Sequence, residues 1–460
     1  MFRRVSLATS IALAAGCLAA SAALAQSPLE SKARHFGAIT ADLNAKGKSR
    51  VIVKFAVPAS SLRTKAAIAA RKSSVHAGQD AILNAAFGSA AAAERHALTR
   101  MSLQPMFALS AGKAELDRLA ADSRVVAIYR DNISRPTLSQ SIPLIGADKL
   151  QKVGGTGEGF IVAIVDTGVE RTHDFLAKRV IAGACYGTTD EGFAPTCKRG
   201  KKHDEGKKAG NPCTVSSECF HGTHVAGIAA GKLTHKKNHE GEPKVGVAPK
   251  AKIFAINVFS FSEVDGLGAF DSDIERGLEF ALEHRNDFEG LAVASANMSL
   301  GDHSVNTVAC DEEDALTGIV NDLREANIAT VIASGNDSNR DGVSAPGCIS
   351  GAITVSATTK SDAVASFSNM GDLVDVQAPG AVIRSSVLNN GFGFASGTSM
   401  AAPHVTGAFA ALRSLHPDAS VGDIETALEN TGNPVHDGRS GGTWTKPRIQ
   451  VDDAHDALSD

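Results

Sequence analysis

Phe160-Ile-Val-Ala-Ile-Val-Asp166-Thr-Gly168 is a run of six apolar residues closed by an aspartate, a threonine and a glycine. A segment apolar at every position has no face to offer water. It reads as a strand covered on both sides, the signature of a parallel sheet. Four later runs share the character: Ile253-Phe-Ala-Ile-Asn-Val258, Leu291 to Leu300, Ile328-Ala-Thr-Val-Ile-Ala333 and Ile353-Thr-Val355. Helical patterns at 271–285 and 312–326 separate them. The alternation predicts a doubly wound α/β domain, a mainly parallel sheet with helices on both faces. In such folds function collects at the carboxyl ends of the strands.

The whole chain is too long for one small core, at 460 residues. Its hydrophobic content of 43% and charged content of 21% are those of an ordinary soluble protein. A net charge of −4 argues against a dedicated nucleic-acid binder. Residues 1–25 read as a signal peptide: Arg3 and Arg4, an Ala/Leu-rich core, then the small-x-small site Ala23-Leu-Ala25. The alternative, lipid attachment at Cys17, also exports the chain. Six cysteines remain, an even count that suggests three disulfides in an exported protein. Closeness along the chain favours Cys185–Cys197, Cys213–Cys219 and Cys310–Cys348, although six cysteines allow many pairings. No Cys-x-x-Cys pair supports a metal instead.

Residues 26–138 read as a separate small domain. Val51-Ile-Val-Lys-Phe55, Met106-Phe-Ala-Leu109 and Val125-Val-Ala-Ile-Tyr129 are strand candidates. The Ala-rich stretch 61–98 and the segment Lys113 to Ala121 are helical. This β-α-β-α-β pattern predicts a small ferredoxin-like α+β sandwich. Pro136 and Thr137-Leu-Ser-Gln-Ser141 read as an exposed linker. Residues 183–220 hold four of the six cysteines and read as a disulfide-tied surface insertion. Their cluster Lys198-Arg-Gly-Lys-Lys202 reads as a solvated loop, with an anionic surface as the alternative.

Four residues at element boundaries carry the chemistry. Asp166 ends the first buried run. His221 opens His221-Gly-Thr-His-Val-Ala-Gly227, where a histidine at a helix start suits a general base. Asn336 follows another strand in Ala333-Ser-Gly-Asn336, where its amide can donate to an oxyanion. Ser399 lies in Gly393-Phe-Ala-Ser-Gly-Thr-Ser-Met-Ala-Ala-Pro-His404, at a helix N-terminus whose free N–H groups favour developing negative charge. His221 and His224 lie three apart and could share a metal, but the Glu of a His-Glu-x-x-His helix is missing, and His224 suits a structural role. An α/β-hydrolase esterase would need Gly-x-Ser-x-Gly with its acid and histidine after the serine. Here position 401 is Ala and both partners come first.

On these motifs, joined by Asn297-Met-Ser-Leu-Gly301, residues 140 to 455 resemble a subtilisin-like serine protease. The resemblance implies a serine endopeptidase with Ser399 as nucleophile, His221 as general base and later acid, Asp166 as orienting acid and Asn336 as oxyanion donor. It further implies that Ser299, Leu300, Gly301, Ala333, Ser334 and Gly335 flank a peptide substrate as extended backbone. Small Ser344 would lie near the floor of a roomy S1 pocket that takes large apolar P1 residues, beside an Ala345–Pro346 bond in the cis form. The front domain resembles the family's propeptide, a chaperone and inhibitor cut off after Leu138, so the mature catalytic domain would be 139–460, secreted and monomeric. Residues 446–455 resemble the closing strand and helix.

The chain also departs from the family. His173-Asp174 lacks the intervening proline, and the loop 231–244 carries Lys232, Lys236, Lys237 and His239 in place of an Asn-rich calcium-binding sequence. The chemistry requires no cofactor, while structural calcium stays open. Asp375 matches an acidic ligand position in relatives. Asp337-Ser-Asn-Arg-Asp-Gly342 resembles the start of a calcium loop, but Cys348 stands where its closing Glu belongs, which favours an ordinary turn.

Overall fold

The computed structural model describes residues 27–459 apart from 35, 59–61, 63, 132, 137–142, 234–242 and 440. The segment read as a signal peptide, with Cys17, most of the 231–244 loop and the expected junction after Leu138 lie outside the described residues.

The strand Phe160–Asp166 is buried at every position and pairs in parallel with Lys252–Asn257 on one side and Ala292–Met298 on the other. Its side chains alternate between two cores, as the two-residue period of a strand requires. Val162 and Ile164 pack with the helices His221–Ala230 and Thr398–Arg413. Ile161, Ala163 and Val165 pack with Asp271–Glu283 and Thr317–Glu325 on the opposite face. This is the doubly wound α/β arrangement expected from the apolar runs. The full sheet has ten strands. From one edge they run Asn433–His436, Thr445–Arg448, Val376–Pro379, Ile353–Thr358, Ala329–Ala333, Ala292–Met298, Phe160–Asp166, Lys252–Asn257, Val180–Tyr186 and His203–Glu205. The eight inner strands are parallel and the two outermost pairings antiparallel.

Several boundaries differ from the sequence expectation, each for a local reason. The apolar run 291–300 breaks after Met298, and Leu300–Gly301 pairs in a different sheet. The helix expected over 312–326 starts only at Thr317, because Asp314 turns its carboxylate onto the Leu316 N–H at 2.9 Å. Residues 183–186 belong to the main sheet rather than to the insertion. The backbone approaches so closely there that a Cβ on Gly183 would meet the Ala255 carbonyl at 2.7 Å. All three disulfides join the cysteines nearest in sequence: Cys185–Cys197, Cys213–Cys219 and Cys310–Cys348.

The N-terminal unit is a four-stranded antiparallel sheet in the order Thr99–Arg100, Met106–Ala111, Ser49–Phe55, Val125–Arg130. Val51, Val53 and Phe55 face its own helices Lys65–Phe87 and Lys113–Ala121, along with Val75, Ile82, Leu116 and Leu119. The opposite face, Ile52, Met106, Ala108, Ala127 and Tyr129, packs on Ala315 of the large unit. Leu103 enters the large unit's second core. Pro136, expected in a linker, instead ends the strand Ile133–Pro136, which lies between Gly266–Phe270 and Leu300–Gly301 and pairs antiparallel with both. Among the described residues, no helix is long and apolar enough to cross a membrane.

Candidate functional site

Asp166 occupies the carboxyl end of the central strand and has no exposed surface. A buried carboxylate needs donors. The Thr167 N–H donates to its Oδ1 at 2.7 Å, and His221 Nδ1 lies 2.8 Å from Oδ1 and 2.9 Å from Oδ2. An Nδ1–H held by the carboxylate leaves Nε2 as the basic nitrogen of a neutral imidazole.

The position of His221 depends on Thr167. The Gly222 N–H donates to Thr167 Oγ1 at 3.0 Å, and Thr167 Oγ1 donates to the Cys219 carbonyl at 3.3 Å. The Cys213 N–H in turn donates to the Thr167 carbonyl at 3.1 Å. The short loop closed by Cys213–Cys219 therefore ties the start of the histidine helix to the tip of the aspartate strand. Gly222 has no room for a side chain: a Cβ would meet the Gly168 carbonyl at 2.5 Å and Asp166 at 3.1 Å. His224, one turn on, is fully buried, and its Nε2 lies 3.3 Å from the Gly393 carbonyl. Burial, reinforced by nearby His221, pushes its pKa down to about 3, so it remains neutral and structural.

Ser399 is the second residue of the helix Thr398–Arg413, which packs against the His221 helix. Pro403 falls inside this helix and has no N–H, so the carbonyl four residues earlier, that of Ser399, lacks its helical donor. Ser299 Oγ replaces it, donating to the Ser399 carbonyl at 2.7 Å, while Ser399 Oγ donates back to the Ser299 carbonyl at 3.1 Å. Asn297 Nδ2 donates to Ser299 Oγ at 2.8 Å, and Thr406 Oγ1 donates to Asn297 Oδ1 at 2.9 Å. Sequence reasoning placed Ser299 on the substrate side. It is fully buried behind that surface, where its hydroxyl fixes the backbone of Ser399.

Asn336 stands opposite the helix start. Its Oδ1 accepts from the Thr398 N–H at 2.8 Å, which turns the amide's NH2 end away from Thr398. A narrow pocket beside it is lined by Leu300, Gly301, Ala333 and Gly335, which the resemblance places along an extended substrate, by Ser344, which it places at a pocket floor, and by Asn336. His303 and Asp337 also line it, and neither was assigned there from sequence. His303 Nδ1 lies 2.7 Å from Asp337 Oδ1, and Ser344 Oγ and Asn369 Nδ2 each donate to Asp337 Oδ2 at 3.3 Å. Gly335, at φ +107°, packs so tightly that a Cβ would lie 2.3 Å from Asn369 Nδ2. Ser334 is buried behind the wall, its Oγ donating to the Asn369 carbonyl at 3.0 Å. Ala345–Pro346 is cis, as expected.

The expected calcium residues separate into two groups. Asp337 and Asp341 are engaged by protein groups, Asp341 by Trp444 Nε1 at 3.0 Å. Asp375 joins Glu425 and Glu429, one carboxylate oxygen of each lying within 4.8 Å of the others. Burial pushes Asp375 up to about 7, with Glu425 and Glu429 adding to the shift.

The Peptidase_S8 model of the subtilase family matches residues 157–447. The chain is similar to subtilase-type proteinase psp3 of Schizosaccharomyces pombe, 34% identical over 272 residues, 58% of this chain and 50% of that protein. It is similar to the minor extracellular protease Epr of Bacillus subtilis, 34% identical over 266 residues, covering 58% of this chain and 34% of Epr. With subtilisin DY of Bacillus licheniformis it shares 33% identity over 310 residues, 65% of this chain and 93% of that one. The chain thus spans half the length of psp3 and about a third of Epr.

The Ser299–Ser399 exchange has a measurable consequence. Replacing Ser299 by Ala strands a buried carbonyl, a loss of about 1–3 kcal/mol. If that loss falls on the placement of Ser399, labelling of Ser399 by a fluorophosphonate slows by roughly tenfold. An unchanged labelling rate in a folded Ser299→Ala chain would show that the hydroxyl does not position the serine.

Proposed function

Since the chain belongs to the subtilase family, we propose that it is a secreted serine endopeptidase, made as a self-processing zymogen. The observation that carries this is the buried contact of His221 Nδ1 with both oxygens of Asp166, next to a helix that begins at Thr398-Ser399. Ser399 Oγ attacks the scissile carbonyl carbon while His221 Nε2 takes its proton. Asp166 holds the imidazole in the required tautomer and stabilises the cation that forms. Negative charge on the former carbonyl oxygen is met by Asn336 Nδ2 and the Ser399 N–H at the positive end of the helix. The protonated His221 then gives its proton to the leaving amine. Water repeats the sequence on the acyl-enzyme, releasing the acid. The chemistry requires no cofactor.

The substrate chain lies extended against Leu300–Gly301 and Gly266–Phe270. Support comes from residues 133–136, which pair with both strands in that way. The same pairing supports the N-terminal unit as an inhibitor that fills its own cleft, with maturation after Leu138 and a monomeric mature form. Substituting Ser399→Ala is expected to abolish peptide hydrolysis and fluorophosphonate labelling and to leave the chain uncut. Hydrolysis and maturation that both survive would end the assignment. Asn336→Gly lowers kcat by about 10²–10³, the usual cost of one lost oxyanion donor. N-terminal sequencing of the secreted wild type should begin at Ser139. A start near Gln26 would count against removal of the front unit.

At P1, the walls formed by Leu300, Ala333 and glycine backbone favour apolar side chains, and the Asp337 carboxylate at the same pocket repels acidic ones. Profiling on denatured protein should favour apolar over acidic P1 residues by at least about tenfold in kcat/KM, and equal use of both would refute this preference. Structural calcium, if bound, would be held by Asp375, Glu425 and Glu429, whose oxygens suit a hard cation. Calcium should then raise the Tm of the parent chain and not that of Asp375→Asn; an identical shift in both would exclude this cluster.

A further inference from the structure

The helix Asp271–Glu283 of the large unit presents three glutamates at four-residue spacing, Glu275, Glu279 and Glu283, on one face. Like charges at this spacing repel one another unless partners are supplied. The N-terminal unit supplies partners to two of them. Glu279 accepts the Ser102, Leu103 and Gln104 N–H groups at 2.8–3.0 Å. Glu283 accepts from Ser102 Oγ and pairs with Lys72 at 2.7 Å. Glu275 is treated differently. It is 1% exposed, and neither of its carboxylate oxygens has a hydrogen-bond partner among the described residues.

The charged groups facing Glu275 give little relief. Glu279 lies on its own helix, Asp322 and Asp314 belong to the neighbouring segment, and Lys54 comes from the N-terminal sheet. Three of these four are acidic, and Lys54 makes no hydrogen bond to Glu275. Asp273, half a turn away, is also fully buried, facing Arg276, Asp131 and Arg50. Arg50 is itself committed to Asp131 at 2.8 Å and to the hydroxyls of Thr188 and Ser272. An unpaired carboxylate sealed from water is tolerable only in its neutral form.

We propose that the N-terminal unit is a proton-dependent clamp, docked tightly while Glu275 is protonated and loosened as rising pH ionises it. This deepens the reading of that unit as the inhibitor of its own cleft and rests on it for its functional meaning. The direction follows from linkage. Burial raises Glu275 well above the ordinary carboxylate range and raises Asp273 to about 7. Below about pH 4 the groups are protonated whether docked or undocked, and docking is strongest. Above that, the undocked form sheds its proton first, and docking weakens about tenfold per pH unit for each such group until the docked group ionises. Export into an alkaline medium would therefore favour release, and an acidic one retention.

Hydrogen exchange on the full-length Ser399→Ala chain, which stays in one piece, reads docking without relying on activity. Once corrected for intrinsic exchange chemistry, protection of the amides in 49–55 and 271–283 should fall by about a hundredfold or more between pH 5 and pH 7. Adding Glu275→Gln should flatten that fall by at least about tenfold, and Glu275→Leu should do the same if the amide proves poorly tolerated. A pH dependence identical in parent and both variants would overturn the proposal. If protection falls as expected but wild-type peptide hydrolysis does not rise with it, the clamp stands and the inhibitor reading fails.

Discussion

A carboxylate with no exposed surface sets the terms for the rest of this molecule. Asp166 ends a strand buried along its whole length, so its charge must be met by neighbours rather than by water. One partner is the adjacent Thr167 N–H and the other is an imidazole brought 55 residues along the chain. Meeting that demand fixes where the histidine helix begins, which requires the Thr167 hydroxyl, a bare glycine at 222 and the Cys213–Cys219 loop. The same economy recurs at Ser399. There the proline that interrupts the helical ladder releases a carbonyl, and Ser299 anchors it in exchange for accepting the serine hydroxyl.

Much of this was legible because the strands are apolar on both faces, a pattern that survives without knowledge of partners. Asp166 and Asn336 are visible as polar residues at the ends of such runs, and His221 and Ser399 as polar residues at helix starts. What the sequence hid depends on contacts between distant segments. Asn369 lies far from the pocket in sequence, yet it bonds to the walls at Ser334, Asp337 and Ser344. His303 and Asp337 meet only because two strand-end loops converge. In the sequence Asp337 belongs to a calcium-loop pattern, and its position after Asn336 is the available clue to the pocket. The buried Ser299 hydroxyl could have been inferred from Pro403, since a proline inside a helix always leaves one carbonyl looking for a donor.

Elements at the junction of the two units were the hardest to read. Pro136 reads as the start of a linker and residues 133–135 carry no strand signal, and together they become a strand only because edges exist on both sides to receive them. The glutamates of 271–283 have the same dependence. As a sequence they look like the solvated face of an amphipathic helix. Two of them are met instead by the N-terminal unit, Glu279 by the backbone of residues 102–104 and Glu283 by Ser102 and Lys72. Burial there is a property of the pair of units and not of either one.

The segment 133–136 has one more implication, which concerns shape rather than charge. It fills a slot one strand wide, with Gly266–Phe270 on one side and Leu300–Gly301 on the other. Two strand spacings separate those walls, about 9–10 Å, and their backbone groups are matched only by another extended chain. A helix, about 10–12 Å across with its own hydrogen bonds closed, neither fits nor offers the required partners. A folded protein can enter only after some stretch of it has come loose. On the proposed endopeptidase reading, which bonds such a slot reaches in a native target would then be governed as much by the local opening equilibria of that target as by its side chains.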